Sequence, residues 1–254
     1  MLRIPLLLST VILASVCPLP AVVGSDYAVV EMVDVDTVPS WFRVGFCLLT
    51  EGNHQYAAYY NAAHQMVVAH RQLDQQQWDR AILPSKIGWD SHNYITMIMD
   101  VDGYIHLAGN MHCVPLVYFR TRKPGDISTF ERLPMTNIEE ERCTYPRFMA
   151  DSDGQLLFMY RSGQSGNGRS FFNRYDLHSR TWSRFLDKPL FDGEELRNAY
   201  PIGPVKGPDG KFHIIWVWRD TPDCATNHDL SYVRSDDLKH WEAADGTPVT
   251  LPLT

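Results

Sequence analysis

Apolar residues in this chain fall into short runs of strand length, three of them introduced by an Asp-Gly pair. Asp102-Gly103 precedes Tyr104-Ile105-His106-Leu107, Asp153-Gly154 precedes Leu156-Leu157-Phe158-Met159-Tyr160, and Asp209-Gly210 precedes Phe212-His213-Ile214-Ile215-Trp216. Asp-Gly before an apolar, aromatic run is a hairpin signal, because glycine supplies the positive φ of a tight turn. Each unit then runs through a charged turn to an aromatic residue. These aromatics are Trp78, Phe130, Trp182 and Trp241, spaced by 52, 52 and 59 residues. Units of about this length with several strands apiece are the signature of propeller blades. Long helical periodicity is absent after the N-terminal segment. The predicted fold is all-β, a β-propeller of four-stranded blades.

The first 24 residues read as a signal peptide. Arg3 is followed by an apolar stretch from Ile4 to Val16 and a small-residue exit at Val22-Val23-Gly24. The stretch is too short and too interrupted by proline for a spanning helix. The chain is therefore expected to be secreted or periplasmic, without a membrane anchor after processing, and residues 25–254 are expected to form the propeller domain. About 230 residues at this period give four to five blades. The stretch from Trp241 to Thr254 reads as an outer strand leading onward, so the propeller is expected to be incomplete, with further C-terminal blades or a partner closing the ring.

The net charge of −7 argues against nucleic acid and against an anionic membrane surface. An acidic ligand would need a local basic pocket. Four cysteines lie beyond the signal, Cys47, Cys113, Cys143 and Cys224. An exported chain permits disulfides among them, but core thiols are the simpler reading. No zinc-binding Cys/His spacing is present, and neither a metal nor a cofactor is expected.

Chemistry concentrates in two segments. The first holds Gly88-Trp89-Asp90-Ser91-His92-Asn93 and Gly109-Asn110-Met111-His112. The second holds Thr144-Tyr145-Pro146-Arg147 and Tyr160-Arg161-Ser162-Gly163-Gln164-Ser165-Gly166. Histidines, a tyrosine and arginines beside strand-like runs suit proton abstraction next to a carboxylate, with Arg161 holding the acid. Arginine offers a planar fork that matches a carboxylate, and the glycines leave room for close approach.

From Gln55-Tyr56-Ala57-Ala58-Tyr59-Tyr60 to Leu251-Pro252 the sequence resembles the BNR-repeat-containing propeller family, which includes ulvan lyases of polysaccharide lyase families 24 and 25. The strongest matches are the His92 segment, Gly103-Tyr104-Ile105-His106-Leu107, Thr144-Tyr145-Pro146 and the Arg161 loop. They extend to Trp218-Arg219-Asp220-Thr221-Pro222 and Thr226-Asn227-His228-Asp229-Leu230. The resemblance implies a secreted lyase that cleaves a uronate-containing, rhamnose-linked acidic polysaccharide by β-elimination. His92 and His112 stand 20 residues apart, and Tyr145 and Arg161 stand 16 apart, in register with the family pattern. His92, Tyr145 and Arg161 are the implied catalytic residues, with the roles of acid and base left open between His92 and Tyr145. His112, Asn93, Asn110, Arg147, Arg219 and His54 are the candidate substrate-binding residues. A zinc site of some of these lyases has no counterpart, since only His178 lies in its region.

Two alternatives stand beside the lyase. His54 lies where related rhamnose–glucuronate hydrolases carry a histidine. A carbohydrate-binding or vestigial propeller would need no catalytic set. Convergence of His92, His112, Tyr145 and Arg161 on one pocket separates the enzyme readings from the last.

Overall fold

The computed structural model describes residues 29, 31–39, 45–88 and 90–254. The signal-peptide reading and Trp89 lie outside the described residues. Two compact units divide the chain, Met1–Asp34 and Val35–Thr254. The few described residues of the first carry no helix or strand. Every strand below belongs to the second.

The second unit is all-β, with four antiparallel sheets. The first blade runs β1 (Cys47–Glu51), β2 (His54–Tyr60), β3 (Gln65–Gln72) and β4 (Asp79–Lys86). The second blade has β5 (Ile95–Met99) and β6 (Ile105–Gly109). A short strand β7 (His112–Val114) then leaves it before β8 (Tyr118–Thr121) and β9 (Phe130–Arg132) complete the sheet. The third blade has β10 (Cys143–Ala150), β11 (Leu156–Gln164), β12 (Asn167–Asp176) and β13 (Thr181–Arg184). It gains β7 on its inner edge and β14 (Phe191–Asp192) on β12. The fourth runs β15 (Asn198–Lys206), β16 (Phe212–Arg219), β17 (Asn227–Ser235), β18 (Trp241–Glu242) and β19 (Pro248–Val249). The sheets form an open propeller and do not close into a ring.

The sequence period has a direct structural meaning. Trp78 immediately precedes β4, Phe130 opens β9, Trp182 lies in β13 and Trp241 opens β18, so each marks the start of its blade's fourth strand. The three tryptophans are buried at 5%, 8% and 3% exposure. The three Asp-Gly pairs join the first strand of a blade to the second, with Gly103, Gly154 and Gly210 at φ of 84°, 80° and 83°. Mid-strand histidines reinforce two of these corners. Buried His106 bridges the Tyr118 hydroxyl at 2.8 Å and Asp100 at 3.1 Å, and His213 repeats the bridge to Tyr232 and Asp209. Burial outweighs Asp100 and lowers the His106 pKa, which suits a neutral imidazole that donates to the carboxylate and accepts from the phenol.

The stretch after Trp241 differs from the expected onward strand. Asp245-Gly246 turns it back as the β18–β19 hairpin, with Gly246 at φ 87°. Leu253 then bridges Phe191 in parallel and exchanges backbone hydrogen bonds with Leu190 and Asp192. The four cysteines are free thiols, and only Cys143 is buried; Cys47 and Cys113 are half-buried and Cys224 is exposed.

Candidate active site

The inner strands β1, β5, β10 and β15 begin at the same end of the propeller, and a cavity of about 640 Å³ opens between their first residues. Tyr94, Thr96, Tyr145, Arg147 and Tyr200 line it, with Phe46 at its rim. Short β7 is what assembles chemistry beside this mouth. His112 pairs with Thr144 and Val114 with Cys143, which carries a residue from the second blade onto the third.

Two imidazoles share one carboxylate there. The His92 ring donates from Nδ1 to Asp90 Oδ1 at 2.6 Å, and its backbone N–H donates to the same oxygen at 2.8 Å. His112 donates from Nδ1 to Asp90 Oδ2. Burial pushes the Asp90 carboxyl up, but the His92 amide and the two imidazoles outweigh it and hold the group at about 2. Ionised Asp90 can only accept, so both rings donate from Nδ1, and in the neutral imidazole Nε2 then carries the lone pair. The rings stack with centroids 4.2 Å apart and planes inclined by 22°.

Tyr145 continues the constellation. Its ring centroid lies 6.0 Å from His92, 5.6 Å from Tyr94 and 6.3 Å from Tyr200. Between the pairs Thr144–Arg161 and Arg147–Met159, two residues of β10 stand against one of β11. Tyr145 occupies this bulge at φ 58°, a left-handed conformation that is costly for a bulky residue. Pro146 fits beside it because a bulge releases an N–H from the ladder and proline has none to release. Burial, only partly opposed by the Arg161 charge, raises the Tyr145 pKa to about 12.

Arg161 closes the set. Its guanidinium carbon lies 4.9 Å from the centre of the Tyr145 ring. The side chain is almost fully buried, at 4% exposure. Nη2 donates to Thr144 Oγ1 at 3.0 Å and to Cys113 Sγ at 3.4 Å, whereas Nε is buried with no acceptor. Fully buried Thr144 has all its hydrogen-bonding capacity used: Oγ1 also accepts from the Cys113 N–H at 2.9 Å and donates to Cys113 Sγ. Gly168 makes the space, since a Cβ there would meet Asn198 Oδ1 at 2.0 Å and Arg161 Cδ at 3.1 Å.

The structure joins His92, His112, Tyr145 and Arg161 into one continuous contact chain, of which Tyr145 lines the cavity while His92, His112 and Arg161 are not among its lining residues. Asn93 is buried beside His92, where its N–H donates to the Asp90 carbonyl. Arg147 lines the cavity. Arg219 stacks on Tyr200 at 3.9 Å and donates to Asn227, one aromatic step from Tyr145. Asn110 is committed elsewhere, since its amide donates to Ser85 and Lys86 and its N–H to the Tyr60 hydroxyl. His54 sits at the opposite end of its blade, where its ring meets His70 at 2.9 Å in a separate cavity with Glu51 and Asp126. The antiparallel order dictates this, because His54 begins β2 and β2 begins where inner strand β1 ends. Asp90, Thr144 and Cys113, which sequence reasoning did not assign to the site, hydrogen-bond its candidate residues. For Asp90 the Asp-x-His spacing of a local side-chain turn was the available signal.

Among the described residues, Asp90, His92 and His112 are the one set of three potential metal ligands with donor atoms within 4.8 Å of one another. Exposed His178 has no such companions.

Residues 54–254 match the family model described as "BNR repeat-containing family member". The chain is 32% identical over 142 residues to the ulvan lyase short isoform of Alteromonas sp. (strain LOR), covering 49% of this chain and 26% of that protein. It is 50% identical over 121 residues to the ulvan lyase long isoform of Glaciecola sp. (strain KUL10), covering 44% of this chain and 12% of that protein. The matched part of the chain therefore spans 26% and 12% of the length of these relatives. Among solved structures, polysaccharide lyase Uly1 superposes with a TM-score of 0.70 at 20% identity, over 91% of this chain and 61% of that one. A PL25 ulvan lyase bound to -[GlcA(1-4)Rha3S]- gives 0.61 at 17% identity, over 82% and 55%. These two likenesses concern the fold, whereas the family match runs through the strands and loops that build the site: the chain belongs to the BNR repeat-containing family.

Proposed function

We propose that this chain is an exported polysaccharide lyase that cleaves a uronate-containing, rhamnose-linked acidic polysaccharide by β-elimination. The observation that carries the reading is the contact chain from Asp90 through the imidazoles and Tyr145 to Arg161, ending on a buried guanidinium N–H with no partner. An orphaned donor in a nearly buried side chain costs stability; Arg120 Nε shares that state elsewhere in the fold, and what marks Arg161 is that its guanidinium also lies against Tyr145, where a carboxylate is the acceptor it suits best. The ulvan lyases similar to this chain support the same substrate class.

Arg161 takes the uronate carboxylate and stabilises the negative charge that grows on it as the α-proton leaves. His92 Nε2, held with a free lone pair by Asp90, removes the proton from C5. The C5–H electrons form the C4–C5 double bond, the bond from C4 to the glycosidic oxygen breaks, and Tyr145 protonates that oxygen. A phenol raised to about 12 is neutral near pH 7, which makes Tyr145 the acid and leaves the base to imidazole. The neighbouring Arg161 charge then stabilises the transient phenolate. His112 shares Asp90 and stacks on His92, orienting the base. Every charge in this scheme rests on a protein group, so the reaction as proposed uses no metal or cofactor.

The test is incubation with a sulfated rhamnose–uronate polysaccharide while ultraviolet absorbance of the new double bond is followed. A rise that Arg161→Ala abolishes is expected. A folded chain that gives no absorbance while binding the polymer would instead be a carbohydrate-binding propeller.

A further inference from the structure

We propose that the cavity at the mouth of the inner strands contains a second oxyanion subsite, in which Arg147 binds a sulfate ester or a second carboxylate on the sugar next to the one held by Arg161. The proposal rests on the lyase reading for the placement of the first sugar. Its basis is the state of Arg147. This residue follows the Tyr145 bulge on β10 and lines the cavity. It is half-buried, yet among the described residues no hydrogen bond, ion pair or aromatic face engages its guanidinium. Burial is the sole cause acting on its pKa, which is lowered, so no carboxylate near it compensates the charge. A cation held partly out of water without a counter-ion costs stability, and a ligand anion is what removes the cost.

Neighbouring arginines are occupied, which singles this one out. Arg161 is anchored to Thr144 and Cys113, Arg219 to Asn227 and Tyr200, Arg142 to Gln164, and Arg169 to Glu139. The walls around Arg147 are the rings of Tyr94, Tyr145 and Tyr200, surfaces that stack on sugar faces while the charge selects an anionic substituent. Arg147 follows Tyr145 across the bulge and lines the same cavity, which sets it beside the group that contacts the scissile linkage.

The experiment compares the wild-type chain with Arg147→Gln on a sulfated rhamnose–uronate polysaccharide and on its chemically desulfated form, reading kcat/KM and oligosaccharide affinity by calorimetry. Loss of a charge-assisted contact predicts a fall on the order of ten- to a hundredfold. A fall confined to the sulfated polymer assigns the ligand group to a sulfate ester. An equal fall on both assigns it to a second carboxylate. Unchanged kcat/KM and unchanged affinity on both overturns the subsite. If the wild-type chain eliminates nothing, calorimetry alone decides, because weaker binding by Arg147→Gln supports the subsite while equal binding refutes it. Folding is checked by melting temperature, expected to be equal or higher in Arg147→Gln because an unpaired half-buried charge has been removed.

Discussion

Replacing Thr144 by valine tests how the site holds its arginine. The substitution keeps the branched shape and deletes one hydroxyl. That hydroxyl is the acceptor for the Arg161 guanidinium at 3.0 Å and for the Cys113 N–H at 2.9 Å, in a position with no exposure to water. Thr144→Val therefore orphans one buried donor on Arg161 and one partly buried donor on Cys113. Each costs about 1–3 kcal/mol, more for the charged one, so the pair should lower stability by about 2–5 kcal/mol. For a unit of this size that corresponds to a fall in melting temperature on the order of 5–15 °C. The kinetic effect is separate. Arg161 would keep its charge but lose the anchor that aims it, and a misplacement of roughly 1 Å in a positioning group can cost about a hundredfold in turnover. The assay is kcat and KM for polymer cleavage, measured well below the melting temperature of each variant. Thr144→Ser, which restores the hydroxyl, should recover most of kcat. Wild-type kcat in Thr144→Val, or equal damage in Thr144→Ser, would show that the hydroxyl does not orient Arg161.

Four further outcomes follow from the same geometry. Arg161→Lys should leave little activity, because a point charge cannot reproduce the fork that meets Thr144, Cys113 and the substrate together; substantial turnover in that variant contradicts the carboxylate assignment. Asp90→Asn places an amide where two Nδ1–H groups need an acceptor, and kcat should drop by about 10²–10⁴-fold with the fold intact. The Asp90 carboxyl is depressed from 3.8 to about 2, so the clamp is fully present above the ordinary carboxylate value and is lost as pH falls through that window. Hydrogen-bonded Nδ1–H resonances of the wild-type chain should disappear over the same range, and their persistence below it would argue against Asp90 as acceptor. His54→Ala should cleave at the wild-type rate, since His54 belongs to a cavity at the far end of the first blade; a large loss of turnover would revive the hydrolase reading.

The blade architecture was legible because it is written in residues with one plausible structural job. An aromatic that opens each outer strand and a glycine at positive φ in each inner hairpin recur at a fixed interval, and the strands between them carry enough apolar residues to announce themselves. The direction of the last segment was not legible, since two-residue strands such as β18 and β19 carry no periodicity. The same limit hid the heart of the site. β7 is three residues long, too short to read as a strand, yet its pairing with β10 is what sets His112 and Cys113 beside Thr144. Asp90 carried no assigned role in the sequence, because its second partner, His112, lies 22 residues away along the chain. His54 entered through the resemblance to rhamnose–glucuronate hydrolases, and only strand polarity shows that a residue at the start of β2 lies at the other end of its blade from the cavity. Arg161 and Tyr145 entered through the resemblance, whose 16-residue spacing they match, whereas the bulge that holds Tyr145 required the register of both strands.

Elimination is the central claim, and the mass of the smallest product tests it most directly. Digestion with the wild-type chain to completion, followed by mass spectrometry of the released oligosaccharides, should give a non-reducing-end uronate lighter by one water than its saturated counterpart. Saturated oligosaccharides released by the folded chain would mean that water attacks the linkage, and the roles assigned to His92, Tyr145 and Arg161 would not stand.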